Sequence, residues 1–139
     1  MSLSAKERED FLAEVHIGAI AVAAGEGRGP LNVPIWYSYE PGGDLVVLTG
    51  RESRKARLIA DAGRFTLMAQ RLEPTIRYVS VEGPVVSTTP TTLDELTAMA
   101  ARYLPAETAD SYVKSSGVAD SVTLRLRPEH WLGADLGSL

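Results

Sequence analysis

The segment that decides the fold of this chain is LVVLTGRESRKARL, residues 45–58. The apolar run from Leu45 to Leu48, which ends beside a β-branched threonine, is typical of a strand. Gly50 breaks that strand. Ser53 is a good N-cap, because its hydroxyl can accept a hydrogen bond from a first-turn N–H group. The segment therefore predicts a strand, a tight turn and a helix that begins at Arg54.

Three cations follow this N-cap within about one helical turn. Arg54, Lys55 and Arg57 would lie where unpaired N–H groups and the positive end of the helix dipole converge. Cations at that position destabilise a helix unless an anion is bound there. A phosphate group would account for the pattern. The alternative is a basic turn exposed to water, since runs of charge are usually solvated.

Length and composition indicate an ordinary globular protein. With 139 residues, the chain predicts one domain with a single core over residues 1–139. Its net charge of -4 argues against a general binder of nucleic acid or of membrane surfaces. Without cysteine, and with two isolated histidines, it predicts no metal site. The charged N-terminus does not match a signal peptide and no apolar run suits a membrane span, so we expect a cytoplasmic protein.

The rest of the chain consists of short apolar runs separated by turns. The predicted strands cover residues 17–24, 31–39, 45–49, 64–70, 76–88 and 122–127. Helices are predicted after a capping box formed by Ser4 and Glu7, after Ser53, after Thr92 and over residues 107–114. Strands joined by tight turns form antiparallel sheets, and about six of them would close into a small barrel. We therefore expect a mainly β fold with flanking helices.

Alternation along residues 31–39 predicts two distinct faces of one strand. Pro34 and Trp36 share one face, and because proline cannot donate to a sheet ladder, this stretch indicates an edge, a bulge or a close approach by another group. Tyr37 and Tyr39 share the opposite face with the aliphatic residues. The chain offers no obvious cover for that face, so we expect a second copy to bury it in an obligate dimer.

The common catalytic motifs are missing from the sequence. It contains no nucleophile elbow, no Walker loop and no dinucleotide-binding glycine motif after a strand. His130, beside Trp131, is more typical of a structural residue. Either the domain only binds a ligand, or a cofactor supplies the reactive centre. The basic turn and the aromatic residues Trp36, Tyr37 and Tyr78 favour a cofactor, although core packing is the alternative for each aromatic residue alone.

Three motifs occur in order along the chain: VPIWY at residues 33–37, LTG followed by SRKARL within residues 48–58, and RYVSVEG at residues 77–83. With this spacing they resemble the pyridoxamine 5'-phosphate oxidase-like family of flavin- and deazaflavin-binding proteins. The resemblance covers nearly the whole chain. It implies an antiparallel split β-barrel and a homodimer, with cofactors in two grooves at the subunit interface.

The resemblance also implies which residues contact the cofactor. Ser53, Arg54 and Lys55 would hold its phosphate. Thr49 and Gly50 would lie beside the ribityl chain. The residues expected along the tricyclic ring are Val33, Pro34, Ile35, Trp36 and Tyr37, with Tyr78 near the groove. No residue is assigned as a catalytic acid or base.

In function, the resemblance implies an oxidoreductase that moves a hydride between a reduced deazaflavin, coenzyme F-420, and a small conjugated organic substrate. A composition rich in alanine and arginine is typical of a high-GC genome and favours F-420 over FMN. True pyridoxamine phosphate oxidases carry a longer C-terminal segment with an arginine-containing substrate motif, so we do not expect vitamin B6 oxidation. The alternatives are FMN in the same groove, a non-catalytic carrier of the cofactor, and a dimeric interaction module.

Overall fold

The computed structural model describes residues 1–138, which form four helices and eight strands. In chain order these are α1 (Ala5–Ala13), β1 (Gly18–Val22), β2 (Leu31–Ile35), β3 (Tyr37–Tyr39), β4 (Leu45–Gly50), α2 (Arg54–Ala62), β5 (Arg64–Arg71), β6 (Ile76–Pro90), α3 (Leu93–Tyr103), α4 (Ala106–Ser116), β7 (Ser121–Leu126) and β8 (His130–Gly137). All strand pairings are antiparallel. The strand order is β2-β1-β5-β6-β7-β4-β3, and β8 pairs with β6.

The two edges of this sheet come from one stretch of chain. β2 and β3 are separated only by Trp36, yet they lie at opposite ends of the strand order. β2 pairs with β1, whereas β3 pairs with β4. The sheet therefore rolls into a barrel that is split at this bend, which confirms the split β-barrel.

The number of strands differs from the predicted six. Residues 31–39 form two strands, because the chain leaves one half of the sheet and enters the other at Trp36. The sequence pattern does not predict β8, whose glycines and aspartate have low strand propensity. Pairing with β6 over most of its length holds β8 in the sheet. Long-range pairing thus outweighs local propensity at this strand.

Helix α1 covers the face that carries Tyr37 and Tyr39. The two side chains are 0% and 4% exposed. The hydroxyl of Tyr37 donates to the carbonyl of Leu12 at 2.7 Å, and that of Tyr39 donates to the carboxylate of Glu9 at 2.8 Å. Burial raises the pKa of both phenols. The expectation that a second copy buries this face is therefore wrong, since the chain covers it by itself.

Helix α3 covers the outer face of the half-sheet formed by β3, β4 and β7. Its residue Glu95 accepts hydrogen bonds from the hydroxyl of Thr123 at 3.0 Å and from the guanidinium of Arg125 at 2.7 Å. Glu95 also completes a capping box with Thr92. Hydrogen bonds to the Glu95 carboxylate lower its pKa, and the bond from the Thr92 amide contributes most. One side chain thus ties the start of the helix to the sheet.

The outer face of the other half-sheet exposes apolar side chains to solvent, and we call it the open face. Leu132 lies on it, because the neighbouring Trp131 packs inward against the core. Leu132 is 63% exposed. Directly paired residues point to the same side of a sheet. One row across the open face consists of Pro34, Ala19, Met68, Ser80 and Leu132.

A group of hydrogen bonds surrounds the carboxylate of Asp135 in β8. Its Oδ2 atom accepts from the hydroxyl of Thr75 at 2.6 Å and from the Nε atom of Arg77 at 2.8 Å. Its Oδ1 atom accepts from the amide of Gly137 at 2.9 Å. These hydrogen bonds lower the pKa of Asp135 to about 2, and the bond from Thr75 contributes most.

Asp135 should make the free energy of unfolding depend on pH in acid. Its pKa is lower in the folded chain than its ordinary value of 3.8, so its ionisation stabilises the fold above that pH. This stabilisation is lost as the pH falls towards about 2. In urea unfolding across this range, Asp135→Asn should show a weaker pH dependence than the parent. Asp61→Asn, which alters an exposed carboxylate of α2, is the control, and equal slopes for the parent and Asp135→Asn would contradict the assignment.

Candidate functional site

The strand, turn and helix of residues 45–58 form as the sequence predicts. Ser53 caps α2, and its Oγ atom accepts from the amide of Ala56 at 3.1 Å. The same oxygen lies 3.1 Å from the hydroxyl of Thr49 in β4. The amide of Ser53 donates to the carbonyl of Gly50 at 3.0 Å. The helix start is therefore fixed to the end of the strand by backbone and side-chain bonds.

The cations at this helix start differ in their contacts. The guanidinium of Arg57 donates to the backbone carbonyl of Glu52 at 2.7 Å. The side chains of Arg54 and Lys55 form no hydrogen bond or ion pair with the residues that the structure describes, and the first turn carries no acidic residue. Arg54 is exposed and Lys55 is half-buried. Both cations are available to an anion at the helix N-terminus.

Trp36 occupies the bend between β2 and β3 and packs against two helices. Its ring stacks on that of Tyr103 in α3, with centroids 4.8 Å apart and planes at 11°. Tyr112 of α4 lies tilted to it at 5.5 Å. The hydroxyl of Tyr103 accepts from the amide of Tyr37 at 3.0 Å and donates to the carbonyl of His16 at 2.7 Å. The pair of helices α3 and α4 is therefore attached directly to the bend.

A cavity of about 310 Å³ lies between this bend, β4, and helices α3 and α4. Its lining includes the apolar side chains of Trp36, Leu48 and Met99 and the hydroxyl-bearing residues Thr49, Ser116 and Ser121. The volume is at the lower end of the range for small-molecule sites. Tyr112 is the ionisable residue among those that line it. The cavity combines an aromatic and aliphatic wall with several hydroxyl groups, an arrangement that suits a flat organic ligand.

The structure brings several of the predicted cofactor residues together. Trp36, Thr49 and Gly50 line the cavity. Ser53 lies next to these residues through its contact with Thr49. The basic residues follow in the first turn of α2. The bend and the helix start, which are separate motifs in the sequence, therefore form one continuous region.

The strand residues before the bend differ in whether their side chains face the core or the solvent. The side chains of Val33 and Ile35 pack against the core, while Pro34 is exposed on the edge strand β2. Pro34 therefore lies at an edge, one of the positions that its missing N–H predicts. The Tyr37 side chain points into the core, because the alternation that places Trp36 outside turns Tyr37 inside. Tyr37 beside a bound ring therefore stays a prediction, and its buried side chain would not provide that contact.

Tyr78 lies apart from the other predicted residues within one chain. It belongs to β6 and pairs with Gln70 and Ala134. β6 is three strands from β2 in the sheet, which at about 4.8 Å per strand corresponds to about 14 Å. Tyr78 lies on the open face with Ser80, since both alternate with the buried Val79. Its place near the cofactor groove stays a prediction.

The sequence does not identify the contribution of α3 and α4 to the cavity. The spacing of Leu96, Met99 and Tyr103 predicts an apolar helix face. That pattern cannot show which strand the face covers, because the contact joins residues far apart in the chain. Nothing in the sequence marks Tyr112 as a residue that lines the cavity, because α4 is a short helix without a side-chain cap.

Comparison with known proteins identifies the family. The family model described as pyridoxamine 5'-phosphate oxidase matches residues 4–134. This chain belongs to that family. No curated protein matches it.

Solved structures of this family share the fold at low identity. One is named F420 reductase and is 22% identical, covering 88% of this chain and 94% of its own, with a TM-score of 0.70. A FAD-binding protein from Mesorhizobium loti is 19% identical, covering 100% and 97%, with a TM-score of 0.72. A FAD-binding protein from Mycobacterium smegmatis is 20% identical, covering 98% and 99%, with a TM-score of 0.62. At these identities the likeness establishes the split-barrel fold alone. Within residues 1–138, no helix has the length and apolar character needed to cross a membrane.

Replacing the Tyr103 hydroxyl should destabilise the protein. Tyr103→Phe keeps the ring stacked on Trp36 but leaves the amide of Tyr37 and the carbonyl of His16 without this partner. The expected loss in free energy of unfolding is about 1–3 kcal/mol. Tyr112→Phe is the matched control, because its hydroxyl bonds to no residue in the described part of the chain; its effect should stay within about 0.5 kcal/mol. Urea unfolding measures both, and equal effects would show that the hydrogen bonds do not hold the bend.

Proposed function

We propose that this protein is an oxidoreductase that moves a hydride between a reduced deazaflavin, coenzyme F-420, and a small conjugated organic substrate. The proposal depends on one observation above all. A basic helix start without an anionic partner among residues 1–138 adjoins a cavity with an aromatic wall. Membership of the pyridoxamine 5'-phosphate oxidase family supports a flavin-type cofactor at this place.

The helix start fits the phosphate of such a cofactor. Ser53 caps the helix, and the side chains of Arg54 and Lys55 extend from its first turn. Cations that oppose the helix dipole are destabilising in the empty protein and become favourable when a phosphate neutralises them. The chemistry of the phosphate therefore matches both the charge and the position of these groups.

The bend and the cavity fit the ring system and the substrate. The cofactor supplies the hydride chemistry when bound, and the protein supplies binding and orientation. The exposed edge of β2 at Pro34 offers a surface for a flat ring beside Trp36. The conjugated substrate would occupy the cavity under α3 and α4, where apolar walls exclude water. No residue is assigned as the proton donor, and solvent at the cavity mouth is the proposed source of the proton.

Two alternatives concern the same groove. FMN in place of F-420 is the first alternative: the structural neighbours named FAD-binding proteins favour a flavin, whereas the neighbour named F420 reductase favours the deazaflavin. A non-catalytic carrier is favoured by the cavity lining, which includes one ionisable side chain, that of Tyr112. Turnover separates the carrier from the enzyme, since both bind the cofactor but only the enzyme oxidises it in the presence of a substrate.

The proposed functional unit is a homodimer formed through the open face. Leu132 and Leu136 are 63% and 61% exposed in the single chain. The row of the open face that contains Leu132 ends at Pro34, two residues before the bend. A second copy on this face would bury these leucines and place Tyr78 at the interface. The groove beside Trp36 would then lie at the subunit boundary.

A charge on the open face should separate the subunits. Obligate interfaces bury roughly 2,000 Å² or more, and an aspartate in their centre leaves a desolvated carboxylate without a partner. Leu132→Asp should therefore shift the parent from dimer to monomer in light scattering at micromolar concentration. Leu93→Asp, at an exposed leucine of α3, is the control and should leave the parent state unchanged. A folded monomeric parent, or a dimer that survives Leu132→Asp, would contradict this interface.

Calorimetric titration of F-420 and FMN tests the cofactor site and the role of Lys55 together. A charge-assisted contact with a phosphate contributes about 1.5–3 kcal/mol. Lys55→Ala should therefore weaken binding of the preferred cofactor roughly 10- to 150-fold. The melting temperature of the empty protein should stay the same or rise, because a cation leaves the positive end of the helix dipole. The loss of affinity should shrink at high salt, which screens part of the attraction.

The control for this titration is Arg28→Ala, which removes the same charge from an exposed turn between β1 and β2. Equal affinities of the parent and Lys55→Ala would place the phosphate elsewhere. Equal losses in Lys55→Ala and Arg28→Ala would indicate a general charge effect. Turnover is then measured with the preferred cofactor, in reduced form, against a panel of enones and quinones. Tight binding without oxidation of the cofactor would favour the carrier.

A further inference from the structure

A second cavity, of about 350 Å³, lies beneath α2. Helix α2 forms one wall, and the inward side chains of β6 and β7 form the other. The apolar residues that line it include Ala56, Ile59, Ala60, Val85, Val122 and Leu124. It shares no lining residue with the cavity under α3 and α4. The cavity beside Trp36 therefore does not account for it.

The floor of this second cavity belongs to the core. Ile59 and Leu124 are 2% and 3% exposed, so an apolar ligand that enters would contact side chains already shielded from water. A volume of this size is within the range of small-molecule sites. The apolar walls select against a ligand that is charged along its whole length, because burial of an unpaired charge is costly.

The residues with polar side chains that line the second cavity are Arg51 and Thr88. The amide of Arg51 donates to the carbonyl of Asp120 at 2.7 Å, which holds the residue in place. Both side chains are on residues exposed to solvent, and neither bonds to a side chain or carbonyl within residues 1–138. Thr88 pairs with Leu124 across β6 and β7, so the hydroxyl lies beside the apolar floor.

We propose that this second cavity binds an apolar monocarboxylate, with the carboxylate on Arg51 and the hydrocarbon part against Ile59 and Leu124. A guanidinium matches a carboxylate with two parallel hydrogen bonds. A neutral apolar ligand would contact the apolar walls but would leave Arg51 without an anionic partner. One cationic residue, exposed to solvent and lining an apolar space, therefore favours a ligand with a single negative charge at one end. The proposal does not depend on the cofactor or on the proposed oxidoreductase activity.

Octanoate and octanol, titrated into the cofactor-free protein by calorimetry, test the site. Octanoate should bind the parent more tightly than octanol. Arg51→Gln should weaken octanoate roughly tenfold or more and leave octanol unchanged, because only the carboxylate loses its partner. Arg28→Gln, which alters an arginine outside the cavity, should change neither affinity.

Two variants that fill the cavity locate the bound hydrocarbon. Ala56→Leu and Ala60→Leu each add a larger side chain to the wall formed by α2 and should weaken both probes. Circular dichroism is used to check which of these variants fold like the parent. Failure of octanoate to bind the parent would overturn the proposal. It would also be overturned by equal losses in the two arginine variants, or by unchanged binding in a folded filling variant.

Discussion

The hydrogen bond from the Tyr37 amide to the Tyr103 hydroxyl is the contact on which the site depends. Backbone donors that leave a sheet ladder need another partner, and at this bend the partner is a side chain of α3. The bond fixes the point at which the chain passes from one half-sheet to the other. Alternation along the chain places Trp36 on the outer side and Tyr37 in the core, and the bond attaches this arrangement to α3. The aromatic wall and the position of α3 beside the bend are both attached at this point.

The basic helix start shows how a binding site can oppose stability. The capping of α2 by Ser53 favours the helix, while Arg54 and Lys55 oppose its dipole. Nothing in residues 1–138 neutralises those two cations, although the same chain pairs Lys6 with Asp10 and Lys114 with Asp110. The proposed ligand would neutralise both cations. This reasoning connects a local electrostatic cost to the proposed cofactor phosphate.

The two outer faces of the barrel differ in what covers them. One is covered by α3, which Glu95 ties to the sheet, and that cover encloses the cavity beside Trp36. The open face has exposed leucines instead, and it extends to the edge strand before the bend. In the proposed functional unit, the chain would enclose the substrate cavity by itself and a second copy would complete the cofactor groove.

The sequence by itself determined the features that depend on neighbouring residues. Ser4 with Glu7 predicts the first capping box, Ser53 predicts the start of α2, and the motifs from Val33 to Gly83 identify the family. Only the tertiary structure decided the division of residues 31–39 into two strands, the pairing of β8 and the burial of Tyr37 and Tyr39. It also decided which helices cover Trp36. Each of these features results from contacts between residues far apart in the chain, and such contacts can outweigh local propensity and alternation.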